Sequence, residues 1–278
     1  MNFPMTETDV TALRLGSFLS ILVLMNVVEW LSPRRRWTVR RFPRLSSNYA
    51  LVVINSFAIR FLLPLTAVAA SEYAEDNELG ILHWMSLPPL LNTAVSIILL
   101  DLLIYAQHVA FHMVPLFWRI HKVHHADLDI DVSTGLRFHT LEIWVSMWIK
   151  IGAVILLGAN VWGVVLFEII LNGMAMFNHS NIRLPVAFDR WLRRILVTPD
   201  MHRVHHSTIK RETNSNYGFN LSLWDRLFRT YIDQPEHGHL EMEIGLSEYR
   251  DEKNADRIPG MIMMPLKSSS PAGTVSAE

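Results

Sequence analysis

Ten of the 13 histidines lie between residues 108 and 206, and their spacing is regular. Residues 121–125 and 202–206 both read H-x-x-H-H, and His108 precedes His112 by four positions. Side chains three or four positions apart lie on one face of a helix, so each cluster can direct two or three imidazoles at one point. Neutral imidazole is a common metal ligand, whereas packing gives no reason to gather eight such rings. The pattern therefore predicts a metal site.

The number of rings bears on the number of metal ions. Eight to ten imidazoles exceed what one ion binds, so two ions are expected. Imidazole suits zinc, copper, iron and nickel alike, and ligand type alone does not choose between them. His83, His237 and His239 stand apart from the clusters and are expected to be ordinary hydrogen-bonded residues.

A polar stripe precedes the first pair of histidines. Asp101, Tyr105, His108 and His112 follow one another at steps of four, three and four. They would share one face of an otherwise apolar helix, which is the reverse of what lipid or a packed core selects. This face is therefore expected to point into the metal site.

The elements that position these residues are membrane helices. Only 18% of the chain is charged and 50% is hydrophobic, whereas a soluble domain carries about 25% charge. Apolar stretches at residues 13–31, 49–70 and 87–107 each suffice for one span of roughly 20 residues, and the first is expected to be an anchor rather than a cleaved signal. Residues 144–177 are too long for one span and predict a hairpin that turns near residues 157–161.

Loop charge predicts the orientation. The segment 32–48 holds six arginines and no acid, whereas the next loop holds four acids and no lysine or arginine. The positive-inside rule places the first loop in the cytoplasm. Because the hairpin crosses an even number of times, both H-x-x-H-H clusters are then expected on the cytoplasmic side.

Composition also excludes several classes of function. The chain has no cysteine, which excludes disulfides, iron–sulfur clusters and thiolate-bound haem. A net charge of −1 argues against nucleic acid as a partner. The predicted fold class is thus all-α: three spans plus a re-entering helical hairpin, with a cytosolic histidine-rich helical cap.

These motifs resemble the fatty acid hydroxylase/sterol desaturase superfamily of membrane-bound di-iron oxygenases, most closely its bacterial-type sterol desaturase branch. The resemblance covers roughly residues 90–232. Besides Asp101, Tyr105, His108 and His112, the matching motifs lie at residues 118–125, 133–139, 178–181, 198–206, 214–218 and 223–228.

The resemblance implies two iron ions, with dioxygen as co-substrate, and oxidation of a C–H bond in a membrane lipid. The residues it implies as metal ligands are His108, His112, His121, His124, His125, His139, His179, His202, His205 and His206. Four further side chains are expected to orient the imidazoles, with helix caps or surface charges as the alternative: Asp101, Glu142, Asn178 and Asp200.

The resemblance also implies a division of the chain. Residues 1–107 are expected to be N-terminal transmembrane helices, and residues 108–257 a fatty acid hydroxylase-like di-iron domain that includes the 144–177 hairpin. Residues 258–278, rich in Pro, Ser, Gly and Met, predict a disordered tail. The protein would lie in the inner membrane of a bacterium or the endoplasmic reticulum of a eukaryote.

Electrons are expected from a separate donor, a ferredoxin or small cytochrome with its reductase, because the chain has no G-x-G-x-x-G fingerprint. A sterol, a fatty acyl chain and an ether lipid all remain open as substrate, as do hydroxylation and desaturation. The alternatives are a catalytically inactive lipid-binding relative and a divalent-metal transporter or sensor. Intact histidine clusters argue against the first, and their position beyond the spans argues against the second.

Overall fold

The computed structural model describes residues 6–267, and within that range the chain is helical without a β-sheet. Two short 3-10 turns occupy Thr134–Leu136 and Met264–Leu266. The α-helices, in chain order, are α1 (Glu7–Leu31), α2 (Arg41–Leu62), α3 (Ala67–Asp76), α4 (Ile81–Trp84), α5 (Pro89–Met113), α6 (Pro115–His125), α7 (Thr140–Leu157), α8 (Val161–Asn178), α9 (Val186–Leu192), α10 (Pro199–His205), α11 (Lys210–Thr213), α12 (Leu223–Leu227), α13 (Gly238–Glu241), α14 (Glu252–Ala255) and α15 (Ile258–Met263).

Five segments of the described chain are long and apolar enough to cross a bilayer. They are α1, the stretch Arg41–Trp84 that begins with α2, α5, α7 and α8. Their outward faces carry exposed apolar side chains such as Val23, Phe61 and Leu90, which lipid would cover in a membrane. The all-α, multi-pass architecture predicted from the sequence is confirmed.

The predicted hairpin is also confirmed, and it turns at residues 158–160. Gly158 ends α7 in the left-handed region at φ 68°, where glycine has no steric penalty. Asn160 begins α8, and its side-chain oxygen accepts the backbone N–H of Gly163 at 2.7 Å. A Cβ added to Gly80 would lie 2.1 Å from the backbone nitrogen of Gly158, so the loop before α4 packs directly on the turn.

The second predicted span is wrong in its boundaries. The expected stretch was 49–70, but α2 begins at Arg41 and ends at Leu62. Pro64 lacks a backbone N–H and forces the residue before it out of the helical region, and Leu63 is extended accordingly. The following residues restart as α3, which packs against α7 and α8.

The prediction of a disordered tail from residue 258 is wrong for the part that the structure describes. Residues 258–263 form α15, and the 3-10 turn after it packs against α6. Met261 and Met264 are fully buried beside Trp118 and Leu51, because methionine fills irregular gaps in an apolar core. The remainder of the predicted tail, 268–278, lies outside the described residues.

The arginine-rich loop and the cap lie at the same end of the helices. Arg34 pairs with Asp200 at 3.1 Å, and the guanidinium of Arg35 donates to the backbone oxygens of His239 and Met242. The two segments predicted to share one compartment are therefore in direct contact. The domain boundary predicted between residues 107 and 108 lies within α5, and that division stays a prediction.

Candidate metal centre

Three short helical segments and the end of α8 deliver the histidines to one place. Pro115 begins α6 directly after α5, so the chain bends between the first histidine pair and the first H-x-x-H-H cluster. Thr198 caps α10 by accepting the N–H of Met201, and Pro199 fills its first turn. His179 follows the last residue of α8. The cap thus gathers rings from α5, α6, α8 and α10.

The structure brings nine of the ten predicted ligand residues together, in two adjacent groups. Within each group, one nitrogen per ring lies within 4.8 Å of the others. The five-histidine group comprises His108, His112, His121, His125 and His205. The four-histidine group comprises His124, His179, His202 and His206. All nine are buried, none being more than 6% exposed.

The two groups lie side by side, and each draws on both H-x-x-H-H clusters. The rings of His125 and His206, one from each group, stack with centroids 4.6 Å apart. The rings of His121 and His124 have centroids 5.3 Å apart. The predicted convergence of residues 121–125 with residues 202–206 is therefore confirmed.

Backbone carbonyls fix the tautomers of four rings. The Nδ1 atoms of His108, His179 and His205 lie 2.6–2.8 Å from the carbonyl oxygens of Tyr217, Ala175 and Ser215. His124 makes the same contact with the oxygen of Arg137 at 3.2 Å. A carbonyl only accepts, so each Nδ1 carries the proton and each Nε2 keeps a free lone pair.

These free lone pairs face one another. The Nε2 atoms of His205 and His108 are 3.0 Å apart, and His179 Nε2 lies 3.1 Å from that of His124 and 3.0 Å from that of His202. With the proton on Nδ1, neither member of the first two pairs can donate to the other. Two nitrogens that each lie about 2.1 Å from one ion, at right angles, are about 3.0 Å apart. The spacing fits shared metal ligation.

Orphaned nitrogens point the same way. Among the described residues, the Nε2 atoms of His121, His125 and His206 are buried and have no hydrogen-bond partner. Burying an unsatisfied polar atom costs roughly 1–3 kcal/mol, so three together need an explanation. A metal ion in each group would satisfy these atoms, and the donor set suits a first-row transition metal such as iron.

Burial keeps the cap imidazoles neutral. It lowers the pKa of His121 and of His179 to about 3. Burial and the neighbouring rings lower the pKa of His124, His202 and His206 well below the ordinary value. Each ring is therefore uncharged at neutral pH, which is the form that binds metal.

The structure places His139 outside both groups. It caps the N-terminus of α7, and its Nδ1 accepts the backbone N–H of Leu141 at 3.2 Å. A single histidine between two motifs gives no signal that separates a helix cap from a ligand. We therefore leave His139 out of the ligand set proposed below.

One of the four predicted orienting side chains contacts a ligand ring. Glu142 Oε1 accepts from Nδ1 of His121 at 2.6 Å, and both residues are buried. Asp101 accepts from the indole of Trp224, and Asn178 donates to the oxygen of Phe219. Asp200 pairs with Arg34 and Arg203 at the rim of the cap. The carbonyls that hold the other rings carry no signal in the sequence.

A buried ionic network supports the metal centre from the side of α2. Arg44 is fully buried and pairs with Asp127 at 2.8 Å and with Asp131. Arg137 donates to the oxygen of Val123 and pairs with Asp256 at 3.1 Å, while its own carbonyl holds His124. Sequence analysis assigned Arg44 only to the charge of a loop and missed this role.

Glu142 offers a test of the orienting contact. Glu142→Ala should weaken metal binding by about 10–100-fold, because the ring of His121 loses the acceptor that fixes its proton on Nδ1. Glu142→Gln is the matched control, since its side-chain oxygen can still accept. Metal affinity is measured by competition with a chelator. Equal affinities for the alanine variant and the parent protein would refute the contact's role.

Comparisons with known proteins agree with the site. Residues 93–230, about half the chain, match the family model for fatty acid hydroxylase. The chain is 26% identical over 157 residues to an ornithine lipid hydroxylase of Rhizobium tropici, covering 56% of this chain and 46% of that protein. It is 28% identical over 137 residues to human alkylglycerol monooxygenase, covering 48% and 28% of the two chains.

A longer match is to rat cholesterol 25-hydroxylase, with 22% identity over 248 residues that cover 81% of this chain and 76% of the relative. The chain thus spans less than half the length of the first two relatives. No solved structure gives a significant match. The family match covers both H-x-x-H-H clusters and every ring of the two groups. This chain belongs to the fatty acid hydroxylase/sterol desaturase superfamily.

Proposed function

We propose that this protein is an integral membrane di-iron oxygenase that hydroxylates a C–H bond of a membrane lipid, using dioxygen and external electrons. The observation that carries the proposal is the pair of adjacent, buried histidine groups at the end of the membrane helices. Relatives whose names describe lipid hydroxylases or monooxygenases support lipid as the substrate class and hydroxylation over desaturation.

The five-histidine and four-histidine groups would each hold one iron ion. When bound, the two ions supply dioxygen activation and the oxidation of an unactivated C–H bond. The protein keeps nine imidazoles neutral by burial and directs the Nε2 lone pairs of four of them inward through backbone carbonyls. Because these contacts exist before any ion binds, metal binding needs little rearrangement.

Aromatic walls would keep water away from the reaction. The ring of Phe138 stacks on that of His124 at 4.6 Å, and the ring of Phe219 lies 6.2–6.3 Å from those of His179 and His202. An apolar surround strengthens electrostatic contacts in the site and suppresses side reactions of a strong oxidant. A lipid held in the membrane would present its C–H bond at the end of α5 and α8.

The cytoplasm is the proposed location of the cap. The arginine-rich loop contacts the cap directly, and loops rich in arginine remain in the cytoplasm. A cytoplasmic cap would be accessible to a separate electron donor such as a ferredoxin or a small cytochrome with its reductase. No sequence motif in this chain supplies that role.

The experiment is a lipid comparison. The chain is expressed with iron and a reductase system, and the host lipids are analysed by mass spectrometry after growth in isotopically labelled dioxygen. We expect a lipid that has gained one labelled oxygen atom, absent from cells that carry the empty vector. A lipid that has lost two hydrogen atoms would instead establish desaturation. An unchanged set of lipids in the presence of fully iron-loaded protein would favour the inactive lipid-binding alternative.

A further inference from the structure

The metal centre leaves three oxidisable rings beside it unexplained. Tyr105, Tyr217 and Trp224 are all buried and pack together as one cluster. Tyr217 adjoins the five-histidine group, with its ring centroid 5.1 Å from that of His112 and 5.6 Å from that of His205. These contacts place a phenol directly against the rings that would bind the metal.

The cluster links the metal centre to the surface. The rings of Tyr217 and Tyr105 meet edge to face at 6.4 Å, and Tyr105 stacks on Phe228 at 5.3 Å. Phe228 is 52% exposed. A continuous run of aromatic rings therefore extends from the five-histidine group to the outer face of α12.

Both outer members of the cluster are hydrogen-bonded toward a carboxylate. The indole Nε1 of Trp224 donates to Asp101 at 2.8 Å. The hydroxyl of Thr230 donates to Asp225 at 2.6 Å, so the hydroxyl of Tyr105, 2.9 Å from Thr230, donates to Thr230. A phenol that loses an electron also releases its proton, and this chain of two hydrogen bonds ends on a base that can take it.

We propose that this cluster is a protective electron-transfer relay, an inference that rests on the proposed oxygenase function. Its substrate is hydrogen peroxide, the two-electron reduction product of dioxygen, formed when no lipid C–H bond is in reach. Tyr217 gives one electron to the peroxide and is refilled from Tyr105. The proton of Tyr105 passes to Thr230, and that of Thr230 passes to Asp225.

The balance closes with an external reductant. A one-electron donor of the ascorbate or thiol class reduces the Tyr105 phenoxyl radical at the Phe228 edge, and the proton returns from Asp225. Two such passages, with two protons from solvent, break one O–O bond and yield two water molecules. The relay thus spares the histidines and the buried Met201, whose thioether would otherwise be oxidised.

The test uses the iron-loaded full chain in lipid nanodiscs without substrate, mixed with hydrogen peroxide and frozen for electron paramagnetic resonance. We expect a tyrosyl radical in the parent protein and a signal at least tenfold weaker in Tyr105→Phe and in Tyr217→Phe. Thr230→Val keeps the Tyr105 ring but removes the proton acceptor, and should weaken the signal as well. Tyr231→Phe is the control, because the Tyr231 hydroxyl donates to Asp233 and is not in the cluster.

A second readout is damage to the protein, measured by peptide mass spectrometry. Oxidation of Met201 and of the ligand histidines should increase at least tenfold in Tyr105→Phe, while its iron content stays unchanged. A protein that binds two irons and hydroxylates lipid, yet forms no tyrosyl radical, overturns the relay and leaves the proposed function standing. A protein that binds no iron overturns both.

Discussion

Replacing His205 with alanine will remove iron from the five-histidine group and abolish lipid oxidation. His205 lies at the centre of that group, with Nδ1 held by the Ser215 carbonyl and Nε2 3.0 Å from that of His108. Loss of only an outer hydrogen-bond partner costs about 10–100-fold, so loss of the ligand should reduce activity by more than about 100-fold. His202→Ala should do the same in the four-histidine group. Iron content and product formation are measured on the same purified samples.

His139→Ala is the matched control for both variants. It removes an imidazole from the same cap, but from a ring that caps α7 and lies outside both groups. Its expected cost is about 0.5–2 kcal/mol of stability, with iron content unchanged. Full iron content in His205→Ala, or loss of iron in His139→Ala, would contradict the ligand assignment.

Arg44→Ala will destabilise the protein by about 3–5 kcal/mol, the usual cost of removing one partner from a buried ion pair. Asp127 and Asp131 would remain buried without their guanidinium partner. The effect should extend to the metal centre, because Thr134 bonds both Asp127 and the segment that leads to Arg137. Thermal unfolding of the purified protein in nanodiscs measures the loss.

Arg40→Ala is the control for Arg44→Ala. Arg40 also pairs with a carboxylate, Glu252, but its side chain is 73% exposed, so its removal should cost less than about 1 kcal/mol. Equal losses of stability in the two variants would show that the buried network does not support the fold.

The same network predicts a dependence on pH. Burial alone would raise the pKa of Asp127, but the guanidinium groups of Arg44 and Arg137 hold it below its ordinary value. A carboxylate with a lowered folded-state pKa stabilises the fold above its unfolded value of about 3.9, and this contribution is lost as the pH falls through the folded value. The parent protein should lose it only below about pH 4.

Local spacing predicted which histidines matter but not how they divide. The i, i+3 and i+4 steps placed the rings of each cluster on one helical face, and an even number of crossings placed the clusters together. The division into five and four splits the cluster at residues 121–125, with His124 in one group and His125 in the other. Each ring's direction is set by the carbonyl it donates to, such as those of Tyr217 and Arg137, and backbone oxygens leave no trace in a residue pattern.

Two other features depended on long-range contacts. The boundaries of α2 and the order of residues 258–266 were mispredicted, because composition did not reveal that Pro64 ends the helix or that Met261 has a cavity to fill. Asp200 was a candidate partner of a ligand ring, but Arg34 lies 166 residues away in sequence and binds it instead. Glu142 was identified correctly because it lies one helical turn from the His139 cap, facing α6.

The most direct test is the anomalous X-ray signal of iron in crystals of the iron-loaded protein. We predict two peaks per chain, one among His108, His112, His121, His125 and His205 and one among His124, His179, His202 and His206. A single peak, or iron bound elsewhere while either group remains free of metal, would contradict a di-iron centre built from these nine histidines.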